Sequence, residues 1–548
     1  MNTLLNKTVK LKKLFNTTTL AIAASVFFLV SLIPIVMAGM VNRASGDDLG
    51  YGGYTHRAWL ETGSLFAVMK VANEQVLSSY TSWQGTWSSI FLFTLQPEVF
   101  NDKAYVGVTA VTLLLWMAVT SFVLYFILVK KLRFPINNYV LINVLFLVVN
   151  IHFVESYRSS LFWFNGIIHY QLPYLLCVWM LYLLIQAQEK HQMRYLLGIC
   201  MVAMYMGGSN YQAALLLLFM MVTAMLFFFF LTREKKSFWL VLPVALEVIG
   251  LVVSMKAPGN QVRGGEEFGH SLSRMGETVL MSFYLAVRDI GAYLLEKPIM
   301  IVLLVIMLSI VFYSFLKMNP ESDFRYPLPG LFVAISFCSF VMMQTPQLYA
   351  GASLNARSHA VMMARGLEVV YDNAVVGTSG GVWNFNLQVF TLMVLISWIY
   401  VNGWLFAKYG ERIRSIRKTT WNKYVVIICL PFLITTVLVA TSTKYGLGLT
   451  HTTFWISYDY LRSGRAKEYK WQMDLQTAIL RDENQRNAVV PFTNDWQGPL
   501  MNMTITEDPT AFTNSVTSLF YGKDSVVAID RDEWNELYGH MWPEYRKE

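Results

Sequence analysis

The chain has 548 residues, 55% hydrophobic, 15% aromatic and only 14% charged, which excludes an ordinary water-soluble globular protein. Its 43 Lys and Arg against 35 Asp and Glu leave a net charge of +8. The basic residues fall in short clusters between long apolar runs, a membrane-topology signal that excludes a nucleic-acid footprint. All four cysteines (Cys177, Cys200, Cys338, Cys429) lie inside apolar runs, so neither a disulfide framework nor a cysteine metal site is available.

The basic opening segment MNTLLNKTVKLKKLFN precedes an apolar stretch at 17–40, too long for the core of a cleaved signal peptide and read as a retained signal-anchor helix. A bilayer crossing needs about 20 apolar residues, because each backbone amide must find its partner within the segment. Further spans are predicted near 105–129, 136–154, 171–188, 195–208, 213–232, 238–255, 298–316, 328–345, 388–408 and 424–441, giving about eleven crossings. The span at 195–208 ends in Gly207-Gly208-Ser209-Asn210, which suits a break or a tight hairpin to the next.

The groups Lys7/Lys10/Lys12/Lys13, Lys130/Lys131/Arg133, Lys190/Arg194, Arg233/Lys235/Lys236, Lys317/Arg325 and Arg412/Arg414/Arg417/Lys418/Lys423 alternate with these spans and are assigned to the cytoplasm. The N-terminus is then cytoplasmic and the C-terminus extracytoplasmic, in a multi-pass membrane protein. The expected fold is an all-α polytopic membrane domain over 1–441, with outer loops at 41–104, 256–297 and 346–387. Residues 442–548 form a small mixed α/β extracytoplasmic region. Two interfacial helices are expected in the first loop, roughly 62–80 and 86–95, and an amphipathic stretch in the second. The connections assigned to the cytoplasm are too short for a catalytic domain, so chemistry belongs to the outer face.

Asp47 and Asp48 follow the first span directly. Two adjacent carboxylates at a membrane boundary are costly unless used or paired, although such a pair also suits the start of the next helix. Arg158, Arg263 and Arg357 each lie just beyond a span or in an outer loop; a guanidinium cluster suits a lipid phosphate, whereas a single arginine also serves as an interfacial anchor. The segment Phe162–Pro173 combines Trp163, Asn165, His169 and Tyr170, either as an interfacial aromatic belt or as a sugar-binding wall. No metal-ligand spacing, phosphate-binding Gly-rich loop, dinucleotide fingerprint or nucleophile elbow is present, and no divalent metal is implied. Tail aromatics and amides such as Trp471, Asn494, Trp496, Trp534 and Tyr538 suit either an acceptor-glycan surface or a packing lid.

Asp47-Asp48, Trp83-Gln84-Gly85, Phe162 to Pro173 and Pro258-Gly259-Asn260-Gln261-Val262-Arg263 occur in an order that resembles a bacterial family of GT-C-type membrane glycosyltransferases. The likeness covers the first half of the chain and is architectural beyond Arg357. The sequence departs from the pattern at Thr86, where an arginine often follows the Trp-x-Gly. The resemblance implies a polyprenyl-phosphate-linked sugar as donor, a cell-envelope glycan or lipid as acceptor, and an inverting displacement with no nucleic-acid partner. It implies Asp47 or Asp48 as base, Arg158, Arg263 and Arg357 on the donor phosphate, and Trp83, Trp163, Asn165, His169, Tyr170 and Asn260 around the substrate. Two alternatives stay open: an O-antigen-type polysaccharide polymerase, and a lipid-linked oligosaccharide flippase or transporter. The latter calls for charges inside the spans, and Glu247 is the main one present.

Overall fold

The computed structural model describes residues 17–232, 235–264, 272–318, 327–346, 380–416, 418–442, 446–493 and 497–545. It is an α-helical, multi-pass membrane architecture. Among the described residues, eight helices are long and apolar enough to cross a bilayer: Thr17–Gly39, Ala104–Lys131, Phe164–Lys190, Tyr211–Phe230, Phe238–Met255, Thr278–Glu296, Ile299–Lys317 and Gly380–Ser415. Four shorter apolar helices accompany them, Ile136–His152, Met193–Gly207, Pro329–Met342 and Leu430–Ser442. The set differs from the sequence expectation in two ways. Three predicted spans, near 136–154, 195–208 and 328–345, form helices shorter than a full crossing, whereas that near 424–441 lies within a 25-residue helix, and Thr278–Glu296, expected to be merely amphipathic, joins the apolar set.

Helix α1 (Thr17–Gly39) leads into α2 (Asp47–Thr62), α3 (Leu65–Ser82) and α4 (Trp87–Phe93). The sequence suggests only the last two of these loop helices. Both joints are defined by local chemistry. Gly63 ends α2 in the left-handed region at φ 60°, its N–H donating to the Trp59 carbonyl, and Ser64 then caps α3 by accepting from the Ala67 N–H.

Beyond them, α5 (Val108–Tyr125), α6 (Ile136–His152), α7 (Leu172–Lys190), α8 (Met193–Gly207), α9 (Tyr211–Thr232) and α10 (Val241–Met255) run up and down the bundle, followed by the short α11 (Gly259–Gly264). Side chains match their ends. Asn137 donates to Thr18 at 2.7 Å at one end, and His152 meets Ser31 at 2.8 Å toward the other. Helices α8 and α10 pack backbone to backbone, since a Cβ on Gly207 would lie 2.7 Å from the Glu247 carbonyl oxygen. Helices α12 (Leu272–Glu296), α13 (Ile299–Lys317), α14 (Pro329–Met342), α15 (Gly380–Ser415) and α16 (Lys418–Ser442) complete the bundle.

Residues 446–545 add α17 (Thr453–Arg462), α18 (Arg465–Arg481), α19 (Phe512–Tyr521) and α20 (Arg531–Leu537) with a two-stranded parallel sheet. Strands β1 (Asn487–Pro491) and β2 (Ser525–Ile529) pair in register from Asn487 with Ser525 to Pro491 with Ile529. This region has its own small core around Ile479, Val490, Val526 and Trp534. It is more than an appendage, however. Tyr460, Tyr469 and Leu500 belong to the main apolar core, and Thr453 donates to the Ile151 carbonyl at the end of α6. Helix α19 lies across α2, where Gly50 and Gly53 leave room for Val516 and Leu519.

Candidate functional site

The Asp47-Asp48 pair forms the first turn of α2, where two negative charges suit the helix dipole. The two carboxyls have different surroundings. Asp48 is 1% exposed. Its Oδ2 accepts from the Tyr105 hydroxyl at 2.5 Å and its Oδ1 from the Asn165 N–H at 3.3 Å, while the Tyr105 oxygen accepts from the Phe164 N–H at 2.9 Å. Burial pushes the Asp48 carboxyl up to about 7; donation from Tyr105 and Asn165 opposes this only in part. Asp48 therefore ties three segments together and has little freedom to serve a substrate.

Asp47 is half-buried. Burial raises its carboxyl above the ordinary value, and the Arg263 guanidinium pulls it back. One turn along α2, Tyr51 is pushed up to about 12 by burial and the Asp47 charge. Its hydroxyl accepts from Gln84 Nε2 at 3.3 Å, and Gln84 Oε1 accepts from the Arg263 guanidinium. The same guanidinium sits over the Trp83 ring, 5.5 Å from its centroid. Asp47, Tyr51, Gln84, Trp83 and Arg263 thus form one constellation, contributed by α2, the α3–α4 turn and α11.

The close packing of two glycine turns makes this meeting possible. A Cβ on Gly85 would fall 1.9 Å from the Ser254 carbonyl oxygen, and one on Gly259 2.5 Å from the Trp83 nitrogen. Between them, Asn260 Oδ1 accepts from the Gly85 N–H at 3.0 Å and its Nδ2 donates to the Ser254 carbonyl at 2.9 Å. Asn260, expected at the substrate, has its carboxamide engaged in stapling these turns.

His169 lies within reach of the Arg263 charge and forms a hydrogen bond through Nδ1 with Ser89 Oγ at 3.0 Å. Tyr170 packs edge-on to it at 4.9 Å and fills the space that Gly381 leaves on α15. The Asn165 carboxamide is buried beside Asp48 with neither Oδ1 nor Nδ2 bonded, and Trp163 Nε1 is likewise buried and unbonded among the described residues.

Arg158 has a different setting from Arg263. Its guanidinium donates to the Gly498 carbonyl at 3.4 Å in the C-terminal region. Arg357 lies outside the described residues, as do Asn494 and Trp496. Among the described residues no group of three or more His, Cys, Asp or Glu is placed to hold a metal ion.

Sequence reasoning missed Tyr51, Gln84, Ser89 and Tyr105. Gln84 stood inside the Trp83-Gln84-Gly85 motif, and Tyr51 had a local signal because a residue four beyond Asp47 shares its helical face. A second buried carboxyl was also missed. Glu98 follows α4, is pushed up to about 8 by burial, and lies near Arg43, which in turn pairs with Asp474 at 2.9 Å. No protein-family model, curated protein or solved structure matches the chain.

Proposed function

We propose that this chain is a GT-C-type membrane glycosyltransferase. It moves a sugar from a polyprenyl-phosphate donor to an extracytoplasmic cell-envelope glycan or lipid, with inversion at the anomeric carbon. The observation that carries the reading is the half-buried Asp47 carboxylate within the field of an Arg263 guanidinium held by Trp83 and Gln84.

A sugar hydroxyl is a poor nucleophile until a positioned base accepts its proton. In the proposed reaction the acceptor hydroxyl gives its proton to Asp47 while its oxygen bonds to the anomeric carbon of the donor. The bond from that carbon to the phosphate oxygen breaks, and the prenyl phosphate leaves with the electron pair. Arg263 meets the charge that develops there; a guanidinium with fixed orientation does so without reorganising. Asp48 is assigned a positioning role, because Tyr105 and Asn165 already occupy its oxygens.

Topology supports an outer-face site. The chain leaves α10 through Arg263 beside Gln84, and after α12 it returns at Lys297, which binds the Phe153 carbonyl at 2.9 Å and Glu155 at 2.6 Å. Both points belong to the end of the bundle that carries the site. With α12 lying along that end, about eleven helices cross. Lys130, Lys131, Lys190, Arg194, Lys317, Arg412 and Arg414 then gather at the opposite end, which the charge bias assigns to the cytoplasm.

The test is transfer of radiolabelled sugar from polyprenyl phosphate in proteoliposomes. Asp47→Asn is expected to lower the rate by about 10²–10⁴-fold, the usual share of a general base, in correctly inserted protein. Full activity in that variant would remove the assignment. One observation favours a second reading, a lipid-linked oligosaccharide transporter: Glu247 is fully buried in α10 with both carboxyl oxygens unbonded among the described residues. Lipid movement without formation of a glycosidic bond would select it.

A further inference from the structure

The glycosyltransfer reading leaves one feature of the site without a role, the fully buried Ser89 beneath His169. Helix α4 carries two consecutive serines that face the turn after α8. Ser88 is a staple: its N–H donates to the Gly208 carbonyl at 2.9 Å and its hydroxyl to the Tyr205 carbonyl at 2.6 Å. Ser89, 0% exposed, makes side-chain contacts of another kind. Its Oγ lies 3.0 Å from His169 Nδ1 and 3.1 Å from Ser209 Oγ.

The Tyr205 hydroxyl donates to the Ile168 carbonyl at 3.2 Å. With Ser209 as the donor within the pair, the Ser89 proton is left for an acceptor on the histidine. An imidazole that accepts at Nδ1 carries its own proton at Nε2. The ring is fixed sideways as well, by Phe93 at 5.8 Å and Tyr170 at 4.9 Å. Its Nε2 has no partner among the described residues, and the ring lies within reach of the Arg263 charge.

We infer that Ser89 is a positioning residue for His169: it holds Nδ1 as an acceptor, so that Nε2–H is presented as a donor to a phosphate oxygen beside Arg263. The inference rests on the glycosyltransfer reading for the identity of the phosphate, but the Ser89–His169 relation is measurable without it. Fixing the tautomer of a working histidine through its other ring nitrogen is a general way to aim it.

The experiment is nitrogen NMR on full-length protein labelled with ¹⁵N-histidine in lipid nanodiscs, with the His169 signals identified by their loss in His169→Gln. Wild type is expected to show the Nε2–H tautomer, with Nε2 shifting as farnesyl phosphate is added. Ser89→Ala is expected to mix the two tautomers and weaken the farnesyl phosphate response about 10-fold. Ser89→Cys, which keeps the volume and a weak donor, falls between. Ser88→Ala lowers thermal stability and leaves the tautomer unchanged. The inference is overturned if wild type carries the proton on Nδ1, or if a folded Ser89→Ala leaves both nitrogen signals in place. A tautomer change with no farnesyl phosphate response in any variant would support the role of Ser89 and sink the lipid-phosphate reading.

Discussion

At one end of the bundle the chain turns through Leu132–Pro135 and His191–Gln192, short connections flanked by Lys130, Lys131, Lys190 and Arg194. At the other end it builds three helices between α1 and α5, joins two glycine turns, and seats the C-terminal region over them. Cations at the first end rest against rings, as Lys131 does over Phe126 at 5.1 Å and Arg194 over Tyr195 at 4.9 Å. At the site end, Arg263 also covers a ring, is bonded to Gln84 and acts on the charge of Asp47. Each end thus holds cations on aromatics. What separates them is the backbone packing of two glycine turns, which at the site end brings one such cation together with groups from distant segments.

If that packing makes the site, breaking it has the largest effect on the fold. Gly85→Ala puts a methyl group onto the Ser254 carbonyl, and no flexible side chain is available to yield. Overpacking of this kind costs about 1–3 kcal/mol or more. Thermal unfolding in detergent is expected to show the loss, together with loss of the contact between Trp83 and Arg263. An alanine variant as stable as wild type would show that the two turns are not in fixed contact.

The buried acids sharpen the comparison through pH. Asp48 rises from 3.8 to about 7 and Glu98 from 4.5 to about 8, both chiefly through burial. A carboxyl that holds its proton more tightly when folded contributes stability below its unfolded value, and that contribution is lost as pH rises through the folded value. Stability should therefore fall between about pH 5 and pH 8. Asp48→Asn should flatten the slope by about 1 kcal/mol or more, because each pKa unit is worth about 1.4 kcal/mol. A slope unchanged in this variant would mean that Asp48 is no more buried folded than unfolded.

Much of the architecture was legible because bilayer crossing imposes long apolar runs, and Asp47 with Arg263 could be picked out from short motifs at span ends. Helix α2 was not. Gly50, Gly52 and Gly53 resemble a turn in sequence, yet in the structure Gly50 and Gly53 leave room for Val516 and Leu519 of a helix more than 450 residues away. The separate fates of Asp47 and Asp48 were equally hidden, since Asp48 is claimed by Tyr105 and Asn165, contacts that no local spacing reveals. Arg158 looked equivalent to Arg263 because both follow a span. Only the C-terminal region distinguishes them, by providing Arg158 with the Gly498 carbonyl.

The smallest expected effect comes from the opposite end. Lys131 bonds to Glu189, with side chains 23% and 41% exposed. Water and salt screen such a pair, and removing it by Lys131→Ala should cost about 0.2–1 kcal/mol, less at high ionic strength. The lost cation–π contact with Phe126 adds a similar amount. Sugar transfer should stay at the wild-type rate, because neither group touches the constellation around Asp47. A fall in transfer comparable to that of a site-end change, in protein of normal stability and orientation, would mean that the two ends are coupled through the bundle and that the division drawn between them is wrong.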